Sequence, residues 1–127
     1  MERCVELETA ILLHKRHFVC DPSQVLQSIN IDGELIEGVA LGTALAWLCQ
    51  VHRLYLCIRN YYVSNVTITR QGLVSGQPMS LRKCFDYYIV TPEEGRQYVL
   101  YVDNKQYEDY DRLREDALVH CLRFLIS

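Results

Sequence analysis

The sequence predicts an α+β fold, with N-terminal helices and a C-terminal amphipathic helix packed on an antiparallel sheet of about four strands. Three observations lead to it. After Arg53 the composition changes, with Tyr, Val, Ile and Thr replacing the Ala, Gly and Leu of the preceding segment, as expected on passing from helix to strands. Two β-rich segments, Cys84 to Thr91 and Gln97 to Asp103, flank the turn signal Pro92-Glu93-Glu94-Gly95. From about Asp109 apolar residues return at helical spacing.

Taken in order, Cys4, Leu7, Ile11, His14 and Phe18 form a helical stripe, although Val5 to Thr9 also alternates like a strand, and length favours the helix. Asp21-Pro22-Ser23-Gln24 carries a capping residue, a proline at the first helical position and a glutamine three residues after the cap, so a short helix to about Ser28 follows. Asp32 is read as the cap of a long buried helix, with Gly33, Glu34 and Glu37 in or near its first turns. The uncharged run from Gly38 to His52 is shorter than the roughly 20 apolar residues of a membrane span, and Ala40, Leu41, Ala44, Leu45 and Leu48 suit a helix buried on most sides. Gly38, Gly42 and Ala46 then share one face, a stripe for close packing of another element.

Strands are expected at Leu54 to Val63 and Asn65 to Gln71, followed by a loop whose uncharged tip is Leu73 to Gln77. The hairpin described above comes next. In the closing helix, Leu113, Ala117, Leu118, Cys121, Leu122 and Leu125 form the buried stripe, with Arg112, Glu115, Asp116 and Arg123 placed away from it. The 127 residues read as a single compact domain: a helical half over about 1–52, a sheet over about 54–103 and a closing helix over about 109–126. A hairpin before a last helix is similar to the tail of small adaptor folds such as roadblock and longin modules, a resemblance of pattern over about the last third of the chain.

With 50% apolar residues and 13 Lys+Arg against 16 Asp+Glu, a chain of this size needs neither metal nor disulfides to hold a core, and its net charge of -3 offers no footprint for duplex DNA. Carboxylates at Glu2, Glu6 and Glu8 stand where a signal peptide needs an apolar run. The expectation is therefore an intracellular protein, cytoplasmic or nuclear and not secreted, with Cys4, Cys20, Cys49, Cys57, Cys84 and Cys121 reduced and mostly buried. Asn65-Val66-Thr67 matches a glycosylation sequon that such a location leaves unmodified.

Chemistry-bearing motifs are few. Cys49, His52 and Cys57 are weak metal candidates, since a structural zinc normally shows paired close ligands, and neither a metal nor a cofactor is expected. A catalytic Cys/His pair would have to be assembled from distant residues, and the chain has no phosphate-cradling or nucleophile-elbow motif. Tyr107 to Leu113, with tyrosines among acids, suits phosphorylation or equally a solvated lead-in to the last helix.

The nine tyrosines are the unusual feature. Tyr87 and Tyr88 are consecutive and Tyr98 and Tyr101 have opposite parity, so both faces of the sheet should carry tyrosine. Together with Arg59, Arg70 and Arg96 these four are the interface candidates, because Tyr and Arg anchor protein interfaces. The expectation is a non-enzymatic protein-protein interaction module or adaptor subunit, dimeric or part of a complex, using a tyrosine-rich face or an open edge strand. A binder of RNA or single-stranded nucleic acid and a small enzyme with a dispersed Cys/His site are the alternatives.

Overall fold

A computed structural model describes residues 3–64, 68–69, 72–73 and 81–125, with side chains described outside 68–73. The fold is α+β. Its elements are α1 (Leu7–Lys15), β1 (Val25–Ile31), β2 (Glu34–Val39), α2 (Leu41–Trp47), β3 (Tyr55–Ser64), the short β4 (Ile68–Thr69) and β5 (Gly72–Leu73), β6 (Leu81–Glu93), β7 (Arg96–Tyr107) and α3 (Tyr110–Phe124). All strand pairing is antiparallel. β1 and β2 form a hairpin, β3, β6 and β7 form a sheet with β6 in the centre, and β4 pairs with β5. Among the described residues no helix is long and apolar enough to cross a membrane.

The long helix expected after Asp32 is instead a hairpin followed by a shorter helix. Asp32 and Gly33 both take positive φ, 52° and 84°, the type I′ geometry that joins two twisted strands in two residues. The Asn30 carboxamide oxygen accepts the Gly33 N–H and holds the turn. Asp-Gly is a hairpin signal as much as a capping one, and tertiary pairing decided between them. The helix expected from Asp21 is likewise one turn of 3-10 helix at Pro22–Gln24, after which Val25 enters β1. The half over 1–52 is thus mixed rather than helical. α2 continues through a wider π-helical turn, Leu48–His52, which ends at Arg53 with φ 56°.

Gly38, Gly42 and Ala46 accordingly do not share a helix face: Gly38 lies on β2 and the other two on α2. Gly38 permits a close approach of another kind. A Cβ there would stand 3.1 Å from Cys4 Sγ, because Arg3 to Val5 runs along the end of β2 with Val5 N–H donating to Val39 and Leu41 N–H to Arg3.

The second hairpin matches its sequence signal but turns one step later. Glu94 and Gly95 form the two-residue loop, with φ 52° and 77°, while Pro92 sits inside the ladder opposite Gln97. β3 and α3 fall within a residue or two of expectation. Of the strand expected over 65–71 only Ile68–Thr69 lies among the described residues, and the tip at 74–77 lies outside them.

Leu13, Leu41, Ala44, Leu48, Tyr87, Ile89, Leu113, Leu118 and Leu122 form the fully buried centre, where both hairpins and all three helices meet. Glu115, expected on the wet side of α3, is buried at 1% exposure. One carboxylate oxygen accepts the Glu6 backbone N–H at 2.7 Å and the Thr9 hydroxyl at 2.8 Å. Glu6 is the N-cap of α1 and provides no side-chain cap of its own, so α3 caps α1 in trans. Arg16 Nε donates to the Leu122 carbonyl at 3.2 Å, which makes α1 and α3 run side by side in the same direction.

Glu115→Leu should lower the unfolding free energy by about 2–4 kcal/mol, since it leaves a buried N–H and a buried hydroxyl without an acceptor, whereas Glu115→Gln should lose less; denaturant unfolding of both measures this. Glu94→Asn should raise stability by about 0.5–1 kcal/mol, because Asn tolerates the left-handed conformation that Glu94 is held in; an unchanged or lower midpoint contradicts the turn assignment.

Candidate interaction surface

Cross-strand register sorts the sheet into two faces. Opposite residues share a face, so Ile58, Tyr87 and Asp103 line one side and Cys57, Tyr88 and Val102 the other. The first side lies under α3. Tyr87 is fully buried there, and its hydroxyl is hydrogen bonded to His120 Nδ1. Burial and then the Asp103 carboxylate hold the Tyr87 phenol well above its usual range, so the hydroxyl donates and Nδ1 accepts. Tyr107, also raised by burial and by its bond to Asp116, donates to that carboxylate at 2.7 Å. Arg112 then joins Asp116 to Glu6 at 2.9 and 2.7 Å, so one polar chain runs from the sheet through α3 to α1.

The interface candidates therefore separate. Tyr87 is a core residue beyond the reach of a partner. Tyr101 is half-buried on the same side against His120 and Phe124. Tyr98 falls on that side too, contrary to its parity. Tyr101 opposes Ile89 while Val99 opposes Val90, so Leu100 is an extra residue, a bulge that shifts every later side chain to the other face. Tyr98 itself is exposed near the hairpin tip, as is Arg96. Tyr88 is half-buried on the outer face, in the company of Tyr61 and Cys57. Arg59 lies on that face with its guanidinium held by both oxygens of Asp86, at 2.7 and 2.8 Å, which raises its already high pKa. Arg70 lies outside the described residues.

On the outer face the central strand is buried at Cys84, Asp86 and Val90, none of which belongs to the helix-covered core. The rim is different. Tyr55 on β3 is exposed, and Tyr98, Val99, Leu100 and Val102 on β7 are between 44% and 57% exposed. β7 is an edge strand, bonded in the sheet only to β6 among the described residues. Five residues of free edge therefore hold four large apolar side chains, on both faces. Sequence reading of the tyrosines missed Val99, Leu100 and Val102, although their unbroken apolar run in a strand that ends a sheet was visible.

Cys49, His52 and Cys57 do not assemble a metal site: among the described residues no three Cys, His, Asp or Glu side chains are placed to hold an ion. His52 packs its ring edge-on against Trp47 at 4.7 Å. Burial, and then Cys57, raises the Cys49 thiol, and burial with Cys49 nearby pushes Cys121 up to about 12. Cys4 and Cys20 are raised chiefly by burial as well. Thiols kept protonated in this way pack as small hydrophobes and are poor nucleophiles.

A thiol raised in the folded state keeps its proton after the unfolded chain has lost it, so its stabilising effect is complete below the ordinary value of 9.0 and is lost as pH rises towards 12. Unfolding free energy should accordingly fall between pH 9 and 10, by up to about 1.4 kcal/mol for each pH unit, with Tyr87 and Tyr107 steepening the loss above pH 10. Cys121→Ala should flatten the slope below pH 10; an equal slope in wild type and variant would count against a buried, raised thiol. Comparison of the chain with protein-family models, with curated proteins and with solved structures finds no match in any of the three.

Proposed function

We propose that this chain is a non-enzymatic interaction module of the cell interior, self-associating or seated in a larger assembly through the β7 edge and the adjoining outer face of the sheet. One observation carries the reading: the exposed apolar run Tyr98, Val99, Leu100 and Val102 on a strand with a free edge. Free edges of this kind join other strands unless charge, proline or a cover prevents it. Between Gln97 and Val102 no charged residue intervenes. Main-chain hydrogen bonding would give a partner its affinity, and the alternating side chains its selectivity.

The nucleic-acid alternative is less well supported. Arg59, the described arginine nearest the outer-face tyrosines, would have to release Asp86 before it could hold a phosphate. Half-buried and buried thiols with raised pKa values suit a reducing compartment, in keeping with an intracellular module.

Leu100→Lys, at an exposed position, should leave the unfolding free energy within about 0.5 kcal/mol of wild type. It should also abolish self-association in light scattering, or capture of the partner that the wild-type chain retains. A wild-type chain that is strictly monomeric and retains no protein, or a variant that associates as well as wild type, overturns the reading.

A further inference from the structure

A second free edge lies on the other side of the molecule, and its surroundings differ. β1 is nearly all exposed, with Val25 and Ile31 half-buried at its ends, and among the described residues its only strand partner is β2. Its seven residues, Val25-Leu-Gln-Ser-Ile-Asn-Ile31, contain no charge, proline or glycine. Beside it, between the hairpin and α1, runs a groove of about 510 Å³ lined by Val5, Leu7, Ala10, Ile29, Ile36 and their neighbours. Leu7, Leu26 and Ile29 are each about half exposed along this edge and groove. The edge thus offers unpaired main-chain groups with an apolar slot for alternate side chains of an added strand.

Charge selects the occupant. From Phe18 to Val51 the chain contains four carboxylates, Asp21, Asp32, Glu34 and Glu37, and no Lys or Arg. His14, 3.4 Å from Glu34, is the one basic side chain recorded against them. Glu8 adds a further exposed carboxylate on α1. An uncharged slot with acidic surroundings favours an extended segment whose centre is apolar and whose flanks are basic. A second copy of this chain does not supply one. Its β1 has the same acidic surroundings, and its β7 carries Glu93, Glu94 and Asp103 beside Arg96 and Lys105.

We propose that β1 and the α1 groove form a docking site for an extended, apolar-centred, Lys/Arg-flanked peptide segment of a partner protein, which adds to β1 as a strand. The proposal rests on the interaction-module reading and places a second contact on a surface separate from β7.

The test uses the full chain and two synthetic peptides, each an alternating Val/Thr octamer, one flanked by two lysines at each end and the other by two glutamates. The lysine-flanked peptide should shift the amide signals of residues 27–31 and bind about tenfold tighter than the other at low salt, with the gap narrowing at high salt. The double variant Glu34→Lys/Glu37→Lys should reverse the preference, and Ile29→Lys should abolish binding of both. Equal binding of the two peptides, no binding of either, or shifts centred outside β1 and α1 overturns the proposal. So does a dimer of the chain that Ile29→Lys dissolves, which would make a second copy the occupant. Leu100→Lys, which removes the β7 contact, should leave peptide binding unchanged, so failure at β1 and failure of the β7 reading are separately visible.

Discussion

A single buried carboxylate holds the two halves of this molecule in register. Glu115 reaches from the third turn-face of α3 to the first turn of α1, and one oxygen takes both the N-cap amide of Glu6 and the hydroxyl of Thr9. Burying a charge is unfavourable unless donors replace water, and here the donors are the groups a helix start leaves unsatisfied. The other oxygen, Oε2, is buried without a hydrogen-bond partner, so the carboxylate is held for position and at a cost in desolvation. What it positions is considerable. The residues immediately before α1 run along β2 through Val5 and Val39, so fixing the start of α1 also fixes the β1–β2 hairpin against the rest of the core. The groove beside β1 owes its shape to an acid on the opposite side of α1.

The antiparallel elements leave free edges, and the edges are unlike one another. β7 has a bulge at Leu100 and a second irregularity between Phe85 and Tyr87, which twist it locally, while Asp103 and Lys105 add charge towards its far end. Its apolar run is therefore confined to the part near the turn, a short contact with both faces open. β1 has an irregularity only between Val25 and Gln27 and no charge along its length, so its protection against indiscriminate pairing comes from the carboxylates around it. An apolar strand within an acidic setting repels its own kind while remaining open to a basic segment. Selectivity in the two cases has different physical origins, bulge and twist at β7 and charge at β1.

The legibility of the sequence followed the locality of the determinants. α3 was readable because its stripe repeats within one element, and the β6–β7 hairpin because Gly95 permits the turn its neighbours require. Asp32-Gly33 was ambiguous in isolation, since the same pair can start a helix or close a hairpin, and the choice was made by residues 25–31 finding partners in 34–39. Leu100 could not be recognised as a bulge because alternation by parity assumes an unbroken ladder. Glu115 was the least visible of all. A helical wheel places it among polar neighbours, and only the arrival of α1, more than a hundred residues away in sequence, turns that position inward. The candidate surface suffered in the same way, for it depends on which strand is left at an edge.

Tyrosine content pointed to the right sheet and to the wrong side chains. A buried phenol needs a partner for its hydroxyl, and the sheet's inner face supplies several: His120 for Tyr87, Asp116 for Tyr107 and, at 3.4 Å, Asp103 for Tyr101. These rings fill the layer between sheet and α3 while their hydroxyls join a polar chain that ends at Glu6, close to the Glu115 anchor. Such tyrosines are structural because their polar ends are satisfied inside the molecule. Apolar side chains on an exposed edge have no internal alternative, and Val99, Leu100 and Val102 on β7, with Leu26 and Ile29 on β1, remain in water unless another chain covers them. The distinction between a satisfied aromatic and an uncovered aliphatic, rather than the abundance of either, is what locates a surface for binding.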